Sequence, residues 1–327
     1  MTTLWVLLHV ATQRDYELHS LDFSTAFLQG SLHEAIWLRH PCGFTRSFLE
    51  GTHWSLRRPV YGLRQSPCKW HDTLRTTLAA LGFAPSTTHP SLFLRTDTSL
   101  SPFFVLVYID DSVFATLDNE ALALVKVELQ ERDTCTDLGE LRSYLGLQII
   151  RDRARRTITL TQSHMVQQVL QHFDFSWSSP QPTPLSTGHS LSAPPSDESV
   201  EPSGPYPELV GCLMYLMTCT RPDFAYPLSL LAHYVAPGRH QKELRWLTYL
   251  LTDLGERPRF PPFMYVDNKA MIALCWDQRL EHLTKHIALR YFLTRERQQR
   301  GQLCLAYLAT QANTADVFTK ALGSSDH

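Results

Sequence analysis

The chain has 327 residues, 43% of them hydrophobic, and a formal net charge of −2 with a pI near 6.7. This length allows a sizeable core and two domains. A near-neutral charge argues against a strongly basic protein that grips nucleic acid over a whole face. No apolar run approaches the roughly 20 residues that cross a bilayer.

The N-terminal run Leu4–Val10 is short, lacks a basic flank and precedes Gln13-Arg14-Asp15. It therefore predicts a buried helix and not a signal peptide. The seven cysteines are scattered without a C-x-x-C pair, a pattern that favours buried thiols over zinc sites or disulfides. We expect a protein that is not secreted, in the cytoplasm or the nucleus.

Apolar spacing predicts an ordered series of elements over the first 175 residues. The expected helices are Leu4–Ala11, Trp70–Leu81 and Ala121–Arg132. The expected strands are Leu18–Phe23, Phe103–Tyr108, Ser112–Thr116, Leu141–Ile150 and Thr157–Thr161. This order predicts an α+β fold in which helices back an antiparallel sheet.

Two further blocks follow along the chain. Residues 176–207 are rich in serine and proline and predict an exposed linker. Residues 208–327 return to helical periodicity, with one short strand and another near the C-terminus.

Adjacent carboxylates lie at the expected hairpin tip, where Asp110-Asp111 separates two apolar strands. Two neighbouring negative charges repel, and a divalent cation offsets that repulsion. Asp22, at the end of another expected strand, supplies the further carboxylate that a two-metal site for phosphoryl transfer needs. The alternative is that Asp110 and Asp111 form a solvated turn.

The residues around these carboxylates resemble the reverse transcriptases of copia-type LTR retrotransposons. Val107-Tyr108-Ile109-Asp110-Asp111 resembles the Y-x-D-D hairpin, and Leu21–Gly30 is similar to the D-x-x-x-A-F-L-x-G segment. Tyr61–Trp70 resembles the Y-G-L-K-Q-A-P-R-x-W block. Further similar segments are Asp137-Leu138-Gly139-Glu140, Tyr144–Ile149, Thr220–Asp223, Thr284–Ile287 and Ala315–Lys320, so the resemblance spans nearly the whole chain.

The resemblance implies an RNA-directed DNA polymerase with a palm domain. Asp22 and Asp110 would hold two Mg²⁺ (or Mn²⁺) ions, and Asp111 would support them or polarise the primer end. The implied partners are an RNA or DNA template-primer and deoxynucleoside triphosphates. A local basic strip for them is expected from Arg57-Arg58, Arg64, Lys69 and Arg151–Arg156.

The same resemblance implies roles for residues that touch the substrate. Phe27 would contact the sugar and exclude a 2′-hydroxyl, or else pack in the core. The segment containing Gly62 and Gln65 would line the template and nucleotide face, with Gly62 allowing close backbone approach. Tyr108 would contact the primer terminus, or else be a buried tyrosine. The turn at Leu145-Gly146-Leu147 would belong to a primer grip, or to an ordinary β core.

The family pattern also suggests losses. Residues 1–175 are expected to form the palm, the primer grip and the start of the thumb, with the fingers missing because Met1 lies only one helix before Asp22. Substrate binding would then be weak and activity compromised. The rival expectation is a non-catalytic remnant, or a co-opted binding or assembly protein from a decayed element.

The C-terminal block resembles connection helices at residues 208–241 and an incomplete ribonuclease H at 242–327. Asp267 resembles the third ribonuclease H carboxylate and Asp316 the fourth. The strands carrying the first aspartate and the glutamate are expected to be deleted around Gln241. Asp267 and Asp316 alone cannot assemble a two-metal site, so we expect no ribonuclease H activity.

Other motifs favour plain interpretations. His282 and His286 have the i, i+4 spacing of a helical metal pair, but no third ligand is evident nearby, which favours solvated or capping side chains. The sequence has no G-x-S-x-G elbow of a hydrolase and no G-x-x-x-x-G-K-[ST] phosphate loop.

Overall fold

The structure is a computed structural model that describes a large part of the chain. The described residues are 1–39, 53–95, 102–185, 205–232, 240–256, 258, 260–267, 269, 272–273 and 290–318. Residues 2–145 with 149–159 form one compact unit, and Met1 with 146–148 and 160–327 forms another. Within the described ranges, every helix is too short or too polar to span a membrane.

A six-stranded antiparallel sheet dominates the first unit. Its strands are β1 (Glu17–Phe23), β4 (Ala84–Pro85), β5 (Leu92–Arg95), β6 (Phe103–Tyr108), β7 (Asp111–Thr116) and β8 (Cys135–Glu140). They are arranged in the order β4-β5-β6-β7-β1-β8, so the first strand along the chain lies between β7 and β8. Two further strands, β2 (Ile36–Leu38) and β3 (Trp54–Leu56), pair separately as an antiparallel ladder.

Helices of this unit are α1 (Thr2–Arg14), α2 (Ala26–Gln29), α3 (Ser66–Ala80) and α4 (Asn119–Arg132). Both α3 and α4 place apolar side chains one turn apart, at Trp70, Leu74 and Leu78 and at Leu122, Val125 and Leu129. These rows pack in one core cluster with alternate residues of the central strands, including Leu21 and Phe23 of β1. The helices therefore cover one face of the sheet.

A three-stranded sheet follows, formed by β9 (Ser143–Tyr144), β10 (Leu147–Asp152) and β11 (Thr157–Thr161), with β10 in the middle. The single strand expected over Leu141–Ile150 is wrong, because Leu145 and Gly146 both adopt positive φ angles, 49° and 72°. Extended backbone cannot continue through two left-handed residues, so the strand is interrupted there. Helix α5 (Ser163–His172) comes next.

The second unit is mostly helical and contains one small sheet. In its described residues the helices are α5, α6 (Tyr206–Cys219), α7 (Ala225–Ala232), α8 (His240–Asp253) and α9 (Arg290–Gln299), with short 3₁₀ helices at Pro222–Phe224, Thr310–Ala312 and Thr314–Phe318. Strands β12 (Phe263–Val266) and β13 (Cys304–Tyr307) pair in parallel. Leu303 and Leu305 are the buried members of their core cluster.

The mixed helix and antiparallel sheet arrangement confirms the α+β prediction. The expected helices and the strands through Thr116 are present, with ends shifted by up to four residues. Strand β8 was not predicted, because its sequence Cys135–Glu140 is polar and mostly exposed and so lacks apolar alternation. Of the expected linker 176–207, residues 176–185 lie outside helices and strands, and 186–204 lie outside the described residues.

Candidate active site

The three predicted carboxylates meet at one end of the central strand pair. Asp22 lies on β1, and its Cα partner across the antiparallel ladder is Asp111, the first residue of β7. Asp110 lies in the turn just before Asp111, and its backbone carbonyl accepts a hydrogen bond of 2.8 Å from the Phe23 N–H. Asp22 and Asp111, which are 89 positions apart along the chain, are therefore neighbours in the sheet.

The turn between β6 and β7 is tight and strained. Tyr108 pairs directly with Asp111, so only Ile109 and Asp110 connect the two strands. Ile109 has a φ angle of 58°, in the left-handed region. Two-residue hairpin turns normally place glycine or asparagine at such a position, and a β-branched residue there is uncommon. The strain is located immediately beside two candidate metal ligands, as is frequent at functional sites.

Two side-chain hydrogen bonds reinforce this corner of the sheet. The Ser112 hydroxyl, which is buried, donates to the Leu21 carbonyl at 2.8 Å and joins β7 to β1 just before Asp22. The Trp70 indole N–H donates to the Ile109 carbonyl at 2.5 Å. The Trp70 ring also contacts the Phe23 ring edge-on, with centroids 5.3 Å apart.

The carboxylates interact electrostatically. The pKa of Asp111 is raised, first by partial burial and then by the negative charges of Asp110 and Asp22. A divalent cation would reverse this effect by stabilising the ionised forms. Among the residues that the structure describes, no three histidine, cysteine, aspartate or glutamate side chains form a group that could hold a metal ion. The residues fit Mg²⁺ in donor type and in neighbourhood, since hard cations take carboxylate oxygens.

An exposed aromatic residue, Tyr61, faces the carboxylates. Its side chain is 59% exposed, and its pKa is raised, first by desolvation and then by the charges of Asp110 and Asp22. Its ring contacts the ring of Phe27, with centroids 4.4 Å apart. Phe27 itself is 5% exposed and belongs to the core cluster. The geometry thus favours core packing for Phe27 and makes Tyr61 the accessible ring, a residue to which sequence reasoning gave no role.

The other residues expected to contact the substrate are Gly62 and Gln65, which follow Tyr61 in sequence, and Tyr108 at the end of β6. Gly62 has a φ angle of 94°, and a Cβ at this position would meet no described atom within 4 Å, so glycine is required for conformation and not for space. The Gln65 side chain donates to Glu34 at 3.2 Å. Tyr108 is 56% exposed, so the buried alternative for this residue is wrong.

Three arginines of the expected basic strip, all in the run Arg151–Arg156, form ion pairs. Arg151 and Arg153 form ion pairs with Asp15, and Arg153 also pairs with Glu17. Arg155 pairs with Asp152, three residues earlier on the same hairpin. Arg151, on β10, also donates to the Tyr16 carbonyl, so its guanidinium is held at the turn between α1 and β1.

Arg58 donates to the backbone carbonyls of Gln29 and Gly30. Its guanidinium therefore supports the chain segment that follows Phe27. Arg64 and Lys69, two further residues of the expected basic strip, lie on the segment that leads from Gly62 into α3.

The carboxylates of the second unit are placed differently. Asp267 follows the end of β12, and Asp316 lies in a 3₁₀ helix, buried, where its Oδ1 accepts a hydrogen bond of 3.0 Å from Asn313. In the described part of this unit, neither belongs to a group of three potential metal ligands. His282 and His286 lie outside the described residues.

Comparison with known proteins gives consistent matches. Residues 1–187 match the profile of a family described as reverse transcriptase (RNA-dependent DNA polymerase). The chain is 30% identical over 264 residues to the retrovirus-related Pol polyprotein from transposon TNT 1-94 of Nicotiana tabacum, covering 78% of this chain and 20% of that one. It is also 30% identical over 235 residues to the transposon Ty5-1 protein of Saccharomyces cerevisiae, covering 71% of this chain and 75% of the relative.

A longer alignment joins the chain to the Pol polyprotein from transposon RE2 of Arabidopsis thaliana. It is 26% identical and covers 98% of this chain and 28% of the relative. The alignment extends over 407 positions although the chain has 327 residues, so the relative carries residues between the matched segments that this chain lacks. The chain thus spans 20% and 28% of the lengths of these two plant polyproteins.

Proposed function

Because the chain belongs to the reverse transcriptase family of copia-type retrotransposon Pol polyproteins, we propose that residues 1–175 form a polymerase palm that transfers nucleotides to a primer on an RNA template. Asp22, Asp110 and Asp111 are its proposed catalytic residues. The observation that carries this proposal is the register that pairs Asp22 with Asp111 beside the strained turn of Asp110.

In the proposed mechanism Asp22 and Asp110 would hold two divalent cations, Mg²⁺ or Mn²⁺, and Asp111 would support them or polarise the primer end. When bound, the ions supply positive charge that favours ionisation of the primer 3′-hydroxyl and stabilises the triphosphate. The pKa of Asp111 is raised first by burial and then by the charges of Asp110 and Asp22, and a nearby cation would stabilise the ionised carboxylates against both effects, which supports this assignment.

The neighbouring residues receive substrate roles in the same proposal. Tyr108, exposed at the end of β6, contacts the primer terminus. Tyr61 forms the accessible face above Phe27 and contacts the sugar of the incoming nucleotide, with Phe27 supporting it from the core. Gly62 and Gln65 border the template and nucleotide face, and the positive φ of Gly62 turns the chain into α3.

For the C-terminal region we propose an incomplete ribonuclease H-like segment without activity. The parallel pair of β12 and β13, with Asp267 at the end of the first strand, supports a remnant of this kind. The longer alignment with the Arabidopsis relative supports an internal deletion, proposed to lie around Gln241. Residues 208–241 are assigned to the connection, and 242–327 to the remnant.

Primer extension by the purified chain tests the polymerase proposal. On an RNA template with Mg²⁺ and all four deoxynucleoside triphosphates, we expect extension that EDTA abolishes. Asp110→Asn removes one metal ligand with little change in volume and should lower the rate by at least about 100-fold, the scale of losing one electrostatic stabiliser of a transition state. Extension by wild type that is no faster than by Asp110→Asn would contradict the proposal and leave only common ancestry.

A further inference from the structure

Trp70 contacts residues on both sides of the candidate site, a backbone carbonyl on one side and an aromatic ring on the other. Its indole N–H donates to the Ile109 carbonyl at 2.5 Å, one residue before Asp110. Its ring packs against Phe23, one residue after Asp22. We propose that Trp70 is a positioning residue that fixes the backbone of Asp110 in the orientation needed for metal binding, an inference that rests on the proposed function.

The argument depends on the rigidity of the peptide group. The Ile109 carbonyl and the Asp110 nitrogen lie in one plane, so a hydrogen bond to that oxygen fixes the plane that leads into the Asp110 Cα. The plane that leaves Asp110 is fixed as well, because the Asp110 carbonyl accepts a hydrogen bond from the Phe23 N–H. Trp70 and Phe23 together hold the two backbone planes that flank this carboxylate.

The strained turn explains why such a constraint is needed. Ile109 has a φ angle of 58°, which costs free energy for a β-branched residue and persists only where surrounding contacts enforce it. Without the indole hydrogen bond the 109–110 peptide is free to rotate toward a less strained conformation, and the Asp110 side chain rotates with it.

The anchor of the indole is rigid. Trp70 is 2% exposed and lies one turn before Leu74 and two before Leu78, all in the core cluster against the sheet. A side chain buried on a packed helix loses little further entropy when it makes the hydrogen bond. Trp70 therefore fixes the turn between β6 and β7 relative to α3.

The chain offers a matched control in Trp5 of α1. Its indole nitrogen is also buried, and within the described residues it has no hydrogen-bond partner. Trp5→Phe and Trp70→Phe make the same chemical change in the same compact unit. Trp70→Phe loses a hydrogen bond to the turn, whereas Trp5→Phe loses none.

The first readout uses metal-free protein. Hydrogen–deuterium exchange of peptides that contain residues 108–112 should accelerate in Trp70→Phe by about five- to tenfold, the scale of one ordinary hydrogen bond. Trp5→Phe should exchange like wild type at this turn. Thermal unfolding of both variants separates a local change at the turn from a loss of global stability.

The second readout is the affinity for Mn²⁺, measured by the electron paramagnetic resonance signal of the free ion. We expect Trp70→Phe to bind Mn²⁺ about five- to tenfold more weakly than wild type, and Trp5→Phe to bind as wild type does. In primer extension, kcat of Trp70→Phe should fall while KM for the nucleotide stays within about twofold, because the substrate contacts are retained.

The outcomes distinguish this inference from the function on which it rests. If Trp70→Phe matches wild type in both turn exchange and Mn²⁺ affinity, or loses only thermal stability, the positioning role is refuted while polymerase activity stands or falls separately. Mn²⁺ binding that is equal in wild type, Trp70→Phe and Asp110→Asn also refutes it. Weaker Mn²⁺ binding in Trp70→Phe supports the role even if no variant extends a primer.

If Trp70→Phe does not fold, the same coupling is measured in wild type by NMR. Titration with Mg²⁺ should shift the indole N–H resonance of Trp70 and leave that of Trp5 in place. A Trp70 resonance that does not move on metal addition would overturn the proposal.

Discussion

The six-stranded sheet of the first unit and the parallel pair β12–β13 of the second unit differ in how deeply the side chains of their strands are buried. In β6 all five residues from Phe103 to Val107 are buried, whereas in β12 Phe263 and Tyr265 are 57% and 60% exposed. Among the residues that the structure describes, the core cluster that joins the first sheet to its helices has sixteen buried members, and the cluster of the second sheet has two, Leu303 and Leu305. A hydrophobic core is the main source of stability, so the two sheets differ in their capacity to hold side chains rigidly.

This difference bears on the acidic residues that each sheet presents. Asp22 and Asp111 are paired across a central strand pair, with hydrogen bonds from Phe23 and Ser112 on either side. Asp267 follows a strand that is partly exposed along its whole length. A carboxylate can be pre-organised for metal binding only where its backbone is held, which is the condition that the first sheet meets.

The largest expected effect comes from identical truncations in the two cores. Leu129→Ala, at a fully buried position of α4, should lower the free energy of unfolding of its unit by about 3–5 kcal/mol. Leu305→Ala, in the small core of β12 and β13, should cost less than about 2 kcal/mol, because a thin core collapses around the lost volume. Urea unfolding followed by hydrogen exchange in each unit measures both values.

Equal losses in the free energy of unfolding for Leu129→Ala and Leu305→Ala would contradict the proposed difference between the two cores. They would mean that the C-terminal sheet is as well packed as the first, and that its exposed aromatic residues do not reflect a weak core.

At the candidate site we expect a substitution that raises the free energy of unfolding, by less than the leucine truncations lower it. The folded pKa of Asp111 is raised above its unfolded value, so the folded state carries a penalty that is absent at low pH and fully present once the pH exceeds the folded pKa. Asp111→Asn should therefore stabilise the metal-free protein at pH 7 by about 1 kcal/mol or less. Differential scanning calorimetry in EDTA measures this difference.

Adding Mg²⁺ sharpens the same test. Wild type gains stability from a ligand that binds only the folded state, and Asp111→Asn gains less, so the advantage of the variant shrinks. Asp72→Asn, at an exposed position of α3, is the matched control and should change stability by less than about 0.5 kcal/mol. A lower melting temperature for Asp111→Asn in EDTA would contradict the assignment of crowded carboxylates.

The smallest expected effect is on the pH dependence of stability, and it involves His19 beside the buried amine of Lys126. The Lys126 amine donates to both carboxylate oxygens of Asp137 at 2.8 and 3.0 Å and lies 2.7 Å from His19 Nδ1. The pKa of His19 is lowered, first by burial and then by the charge of Lys126; Asp137, Glu17 and Glu140 act in the opposite direction.

The sign of the pH dependence follows from that lowered pKa. As the pH falls below the unfolded value of 6.5, the unfolded chain takes up a proton at His19 that the folded state does not, so stability declines. In His19→Asn the amide oxygen replaces Nδ1 as a hydrogen-bond acceptor and does not titrate. We expect the variant to lose less stability between pH 7 and pH 5 than wild type, in urea unfolding at each pH. Identical pH profiles would show that His19 is not held neutral by this network.

Much of the first unit could be predicted from sequence because its signals are local. Apolar strands end at Asp22 and begin after Asp111, and rows of apolar residues one turn apart predict α3 and α4. The pairing of Asp22 with Asp111 was not predictable in detail, since register depends on contacts between segments distant in the chain. The hydrogen bond from Trp70 to Ile109 was missed for the same reason, although Trp70 stood in a recognised motif.

The errors have specific physical causes. Strand β8 is held by backbone pairing with β1 and by the ion pair between Lys126 and Asp137. Because these contacts do not require apolar side chains, its polar sequence lacks the alternation that predicts a strand. The run Arg151–Arg156 predicts a basic surface for nucleic acid, but the fold brings Asp15 and Glu17 of a distant segment against Arg151 and Arg153. The sequence gives no role to Tyr61, because the residues beside it in a loop do not indicate whether its ring is buried or exposed.

One assay tests the contrast between the two regions most directly. The full chain is incubated with Mg²⁺, nucleotides and a DNA primer on an RNA template labelled on both strands, beside Asp110→Asn. The account predicts that wild type lengthens the DNA, that Asp110→Asn does not, and that the RNA strand stays intact in every reaction. Shortened RNA that requires Asp267, or primer extension that survives Asp110→Asn, would contradict it.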